Sequence, residues 1–403
     1  MHAAPDAESG FALVNAALVL PHAVVSGRAL WIQGGRIRVV CGRGDLPGDV
    51  TTVDLGGATV APGLVDIHMH GAAGASFNEA GPTAWRTVLR AAATRGVTSV
   101  LATTATAPME QLVACLATAR QWQAQPGEAA LLGVHVEGPY FAASQAGAQD
   151  PANLRTPDDG SVERLLAYAD VIRILTYAPE LPGARTLTQR LAALGIVAAA
   201  GHSAAREEDV VPHIATGLRH MIHIWSGQST TVREGPWRKP GLLEVSLTHE
   251  ALTVEMIADG KHLPPTLMKL AYRAIGPERL CLISDATSGA GLPEGATFRM
   301  GEMAYVVEGG VGMLFDRTAF AGSTTLLGDM LAVVVQQVGL PLHEAVRMAS
   351  LNPARVIGVD DRKGTLAAGK DADLVVLNDR LRPSRVMIGG EWLPATVADS
   401  SDE

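Results

Sequence analysis

Cysteine is nearly missing from this chain. Of its 403 residues only Cys41, Cys115 and Cys281 carry a thiol, and none stands in a CxxC pair. An odd number of widely spaced cysteines excludes a disulfide framework or a zinc knuckle and suits a reducing compartment. Aromatic residues make up 4% of the chain, so the core has to be built from Ala, Val, Leu and Ile. Basic residues are outnumbered 32 to 41, and the formal charge of -9 argues against a nucleic-acid partner, which would call for a basic face. A small anionic substrate met by a few local cations stays open. The apolar stretch from Phe11 to Val25 is broken by Asn15, Pro21 and His22 and follows no basic segment. It is expected to be neither a signal peptide nor a membrane span. With 47% hydrophobic and 18% charged residues, the chain is expected to be folded, cytoplasmic and free of a membrane partner.

The opening residues read as short strands and turns: ALVNAALVL, RALWIQGGRIRVVCG and TTVDLGG, with Gly34-Gly35 as a hairpin signal. From Thr59 onward, short apolar runs alternate with helical stretches rich in Ala, Leu and Arg. Eight such runs occur: GLVDIHMH (63–70), VTSVLATT (97–104), LLGVHVEG (131–138), IRILTYAP (172–179), IVAAAGHS (196–203), HMIHIWSG (220–227), ALTVEMIAD (251–259) and RLCLISDA (279–286). Spacings near 30 residues suit one strand, one helix and their loops. The expected fold is therefore α/β, a (β/α)8 TIM-type barrel. An open doubly wound sheet fits less well, because no Gly-rich dinucleotide loop follows the first strand. The tail returns to strands and hairpins, KGTLAAGKDADLVVLNDR and RVMIGGEWL, with a second Gly-Gly turn at 389–390. A small β-sandwich domain built from both chain ends accounts for this. The expected borders are 1–58 and 357–403 for the small domain and 59–356 for the barrel. The acidic VADSSDE end is expected to fray.

Metal-ligating residue types fall at the ends of these runs. His68 and His70, one residue apart, face the same side of a strand. Glu137 ends the third run, His202 the fifth, His223 lies in the sixth and Asp285 ends the eighth. Taken singly, each has an ordinary explanation, as a core histidine, a turn residue or a helix cap. Six of them on one rim are hard to obtain from packing alone, since burying them unpaired would be costly. Together they indicate a divalent metal site. Ligands without thiolates suit zinc, and equally iron or manganese. Glu137, His202 and His223 can hold one ion, and His68 and His70 a second with Glu137 bridging. Asp285 is then placed as the general base that takes a proton from water and returns it to the leaving group.

The order HMH, HVEGPYF, GHS, HMIHIW, ADGKH, SDA and AGSTTLLG resembles the amidohydrolase superfamily and, more narrowly, the N-acetylglucosamine-6-phosphate deacetylase group. The resemblance spans nearly the whole chain and implies hydrolysis of the N-acetyl amide of an amino sugar, with one or two divalent ions per chain. It implies that Glu137, His202 and His223 are the main metal ligands, that Asp285 is the acid/base and that His68 and His70 belong to a two-metal centre. It also implies that His262 contacts substrate, that Gly322 and Ser323 help close the sugar pocket and that His220 is a core histidine. Arg238, with Lys239 or Arg233 nearby, would meet the substrate phosphate of the neighbouring subunit in a homodimer.

Two segments depart from the group. Gly147-Ala148-Gln149 replaces Gly-x-His, so Gln149 can hydrogen-bond substrate but cannot carry a positive charge. Ser226, Gly227 and Gln228 replace an Asn-Ala-Met segment near the phosphate. These departures leave the identity of the sugar and its phosphorylation open. Cyclic-amide hydrolysis or deamination is the competing enzymatic reading, weakened because the fourth run has no lysine to bridge two ions. A non-catalytic sugar-phosphate sensor is disfavoured because every ligand position is filled.

Overall fold

The computed structural model describes residues 10–300 and 303–394, so the VADSSDE end lies outside the described residues. Eight parallel strands form the barrel: β1 (Leu64–Met69), β2 (Val97–Thr104), β3 (Ala130–Glu137), β4 (Ile172–Tyr177), β5 (Val197–Ala200), β6 (Leu218–Met221), β7 (Thr253–Ile257) and β8 (Leu280–Ile283). They pair in chain order. The ring closes through a bridge between Met69 and Ala286, where the Asp285 amide donates to the His68 carbonyl at 2.9 Å.

The strands read as continuous apolar runs because both faces are covered. Every residue of β2 is buried. The helix Pro82–Thr94 shows the complementary pattern. It starts on Pro82 and turns Trp85, Val88, Leu89, Ala92 and Ala93 toward the strands at spacings of three and four. Inside the barrel Val65, Ile67, Leu101, Ile174, Ile257 and Ile283 form an aliphatic filling, against which Val356 and Ile357 pack.

Strands near both ends of the chain share one further eight-stranded sheet. Phe11–Leu20 pairs with Ala23–Gln33, which turns at Gly34-Gly35 into Arg36–Gly42. Leu374–Leu377 and Pro383–Ile388 come from the other end. The two Gly-Gly turns touch: a Cβ on Gly35 would lie 2.7 Å from the Gly389 carbonyl oxygen, which excludes any side chain there. Thr59–Pro62 corrects the expected border at 59. It pairs with Phe11–Leu20 on one side and Leu374–Leu377 on the other, so the chain crosses to the barrel at Gly63. TVAP is as apolar as a barrel strand, and only its partners distinguish it.

Two insertions stand on the loops. A hairpin of Val232–Glu234 and Trp237–Lys239 follows β6. After β8, four antiparallel strands (Thr297–Met300, Met303–Glu308, Val311–Met313 and Phe320–Ser323) form a small sheet with its own apolar cluster. Among the described residues no helix is long and apolar enough to cross a membrane.

Candidate metal centre

His68 lies near the end of β1, with His70 just beyond it, and Glu137 ends β3; His202, His223 and Asp285 each follow the end of β5, β6 and β8 by two residues. All six are buried. Their polar atoms converge. Oε1 of Glu137 lies 3.0 Å from Nε2 of His223, 3.2 Å from Nε2 of His202 and 3.5 Å from Nε2 of His68. Its Oε2 lies 3.3 Å from Nε2 of His70. Asp285 Oδ1 is 3.3 Å from the same nitrogen and 3.6 Å from Nε2 of His68.

The backbone is bent to achieve this. His202 and Asp285 have φ of 45° and 49°, the left-handed region that residues with a Cβ seldom enter. Two glycines allow close approach. A Cβ on Gly227 would lie 2.7 Å from Nδ1 of His202, and one on Gly322 would lie 2.6 Å from the carbonyl oxygen of Asp285.

Each imidazole is held from behind. Nδ1 of His70, His202 and His223 meets the backbone carbonyls of Thr103 (3.2 Å), Gln145 (2.8 Å) and Ser226 (3.1 Å). Nδ1 of His68 meets the Glu255 carboxylate at 2.7 Å. Carbonyls and carboxylates only accept, so Nδ1 carries a proton in each ring and Nε2 faces inward, where it can offer its lone pair to a cation, as in metal-ligating histidines. Lone pairs facing a carboxylate at these distances repel unless a proton or a cation lies between. Nε2 of His68 is buried without a hydrogen-bond partner. The donor sets His68–His70–Glu137 and Glu137–His202–His223 therefore fit a divalent cation.

The electrostatics agree. Burial would neutralise Glu137, but the charge on His68 and hydrogen bonds from His202 and His223 hold its carboxyl well below the usual range. Burial works against a charge on His70 as well, yet Asp285 and Glu137 raise its pKa to about 9. Asp285 is likewise held low against burial by His70 and His68. The pocket favours positive charge at its centre.

A cavity of about 190 Å³ opens over these groups, lined also by Gln149, Ser226, Gly227, His262, Met300 and Phe320. His262 is oriented by Asp259, whose Oδ2 lies 2.8 Å from its Nδ1 and accepts from Ser323 Oγ at 2.9 Å. Ser323 thus acts on the cavity from behind His262. The amide of Gln149 is already engaged: its Oε1 accepts from the Thr106 amide at 2.7 Å, and its Nε2 donates to Glu137 Oε2 at 2.5 Å. His220 is buried and satisfied by Thr253 Oγ1 and Glu255. Arg238 stands apart, exposed on its hairpin and outside the cavity lining, with its guanidinium 3.4 Å from the Pro236 carbonyl.

Several contributors escaped sequence reasoning. Asp259 sits in the ADGKH segment three residues before His262, and Glu255 is an acid in the middle of the apolar ALTVEMIAD run; both were visible signals. Met300 and Phe320 reach the cavity through the inserted sheet, which the βα count passed over.

Residues 59–393 match the amidohydrolase family. The chain is 32% identical to N-acetylgalactosamine-6-phosphate deacetylase of Escherichia coli O157:H7, over 90% of this chain and 95% of that one. It is 33% identical to N-acetylglucosamine-6-phosphate deacetylase of Vibrio furnissii, over 84% of each. The structure resembles the crystal structure of N-acetylglucosamine-6-phosphate deacetylase from Pasteurella multocida at 26% identity (TM-score 0.89, covering 96% of this chain and 100% of that one). A Mycobacterium smegmatis enzyme of the same description, in complex with N-acetyl-D-glucosamine-6-phosphate, matches with a TM-score of 0.87 at 32% identity over 95% of this chain and 99% of that one. The chain belongs to the amidohydrolase family, among its amino-sugar-phosphate deacetylases, and is a hydrolase of carbon–nitrogen bonds.

Proposed function

We propose that this protein removes the acetyl group from a 6-phosphorylated N-acetylhexosamine, N-acetylglucosamine 6-phosphate or a close relative, releasing acetate and the free amino sugar. The observation that carries the reading is the convergence of four buried imidazole nitrogens and Asp285 on Glu137 beneath a cavity. Glu137, His202 and His223 would hold one ion, and His68 and His70, together with Glu137, would hold a second. Zinc suits this donor set, with iron and manganese as alternatives. A divalent ion there supplies a Lewis acid for the amide carbonyl and lowers the pKa of water.

The chain does the rest. Asp285, ionised and aimed at the centre by its backbone, accepts the proton of the attacking water. It then delivers that proton to the sugar nitrogen as the C–N bond breaks, because an amide anion is too poor a leaving group to depart unprotonated. His262, locked by Asp259 and Ser323, offers its remaining nitrogen to the substrate. Ser226 and Gly227 line the side of the cavity that follows β6. Gln149, with its amide engaged by Thr106 and Glu137, braces the metal ligand and leaves the substrate fewer side-chain contacts than a free histidine would offer.

Arg238 works, in this reading, across a homodimer, where each hairpin brings its guanidinium to the phosphate bound by the other chain; its exposure supports such reach. The protein acts in the cytoplasm. The relatives include deacetylases of both the gluco and galacto sugars at 33% and 32% identity, so the C4 configuration of the substrate is the open variable. Acetate release from N-acetylglucosamine, N-acetylgalactosamine and their 6-phosphates tests the proposal. A phosphorylated member should be turned over best, and chelation should abolish the activity until zinc is returned. Turnover of a cyclic amide with no acetate from any sugar would overturn it.

A further inference from the structure

Glu255 lies in the middle of β7, fully buried, in a run otherwise made of apolar residues and threonine. A carboxylate in such a place is tolerated only when its oxygens are satisfied. Both are. Oε2 meets His68 Nδ1 at 2.7 Å and the His223 amide at 3.3 Å, and Oε1 meets His220 Nε2 at 3.0 Å. One side chain of β7 thus touches β6 at His220, the turn after β6 at His223 and β1 at His68.

The neighbouring group His68–His135–Glu255 has the spacing of a further metal site. It offers no open donors. His135 spends Nδ1 on the Ile67 carbonyl at 3.1 Å and Nε2 on Thr176 Oγ1 at 2.7 Å, and the Glu255 oxygens are used as above. What remains is an orienting role. His68 sits between two carboxylates, Glu255 behind it and Glu137 in front. The one behind accepts from Nδ1 and so turns Nε2 toward the centre as the nitrogen able to take an ion.

We propose that Glu255 is a positioning residue that acts through His68, holding the ion on the β1 side of the centre. The inference rests on the two-ion reading above. A carboxylate behind a ligating imidazole fixes its tautomer and raises its basicity, and losing such a partner typically weakens metal binding about 10–100-fold.

The test is zinc titration of chelator-stripped protein in competition with a chromophoric chelator. The wild type should take up two equivalents. Glu255→Gln should weaken one of them about 10–100-fold and leave the other unchanged. Glu255→Asp, which keeps the charge but is one methylene shorter, should fall between, and it decides the question by itself if the glutamine variant does not fold. In a His68→Ala background, Glu255→Gln should change zinc affinity no further, because the route through His68 is already cut. Wild-type affinities in both Glu255 variants, or an undiminished effect without His68, would overturn the inference. A wild type that binds a single equivalent would overturn the two-ion reading; it would remove this inference too only if Glu255→Gln left that ion's affinity unchanged.

Discussion

The barrel has two interiors built on the same eight strands. One is aliphatic: Val65, Leu101, Ile174 and Ala199, with Val356 and Ile357 packed against it. The other is polar: His68, His135, Glu137, His220 and Glu255, all buried and tied to one another or to backbone carbonyls. Each fully buried aliphatic side chain contributes about 1.5–3 kcal/mol to folding. The polar layer gains little by comparison, because its hydrogen bonds largely replace those made with water. Stability and chemistry are therefore kept in separate layers, and substitutions in the two should have separable consequences.

The largest effect is expected among the polar groups. Asp285→Asn should lower kcat about 10³-fold by removing the proton carrier. Metal content, measured by atomic absorption, and thermal stability should stay close to wild type; near-normal turnover would remove Asp285 from its assigned role. In the aliphatic layer Ile174→Ala should cost about 2–5 kcal/mol of folding stability in denaturant melts. The folded fraction should retain kcat, and a large loss of kcat at 25 °C would show that the two layers are coupled. The smallest effect is expected one step behind the cavity. Asp259→Asn, which removes the charge that orients His262, should lower kcat/KM about tenfold, as for one charge-assisted hydrogen bond. It should leave zinc affinity intact, and a loss of metal would place Asp259 with the ligand supports.

Where the strands lie was largely legible. The run VTSVLATT is β2 residue for residue, since a strand covered on both faces has to be continuously apolar. The sixth run was read too late in the chain. β6 ends at Met221, and His223 already sits in a turn, because Trp225 and Gly227 both take positive φ. The inserted sheet from Thr297 to Ser323 was passed over, because a count of βα units does not look for antiparallel hairpins inside a loop. It supplies Met300 and Phe320 to the cavity. Residues that hold others in place were the harder class to see. Gln145 supports His202 with a backbone carbonyl, which leaves no trace in residue type.

The amino-acid sequence by itself determined which chemistry is available. Histidine, glutamate and aspartate at the ends of five apolar runs can do little else together than hold a cation and move a proton, and strand parity already places His68 beside His70. The tertiary structure alone decided how each of those groups is used. Closing the barrel brings Glu255 of β7 behind His68 of β1, residues 187 positions apart in the chain, and so selects the nitrogen that faces the centre. It also turned Gln149 toward Glu137 and left Arg238 in solvent. A hydrogen bond depends on distances of about 3 Å between atoms that chain order does not bring together.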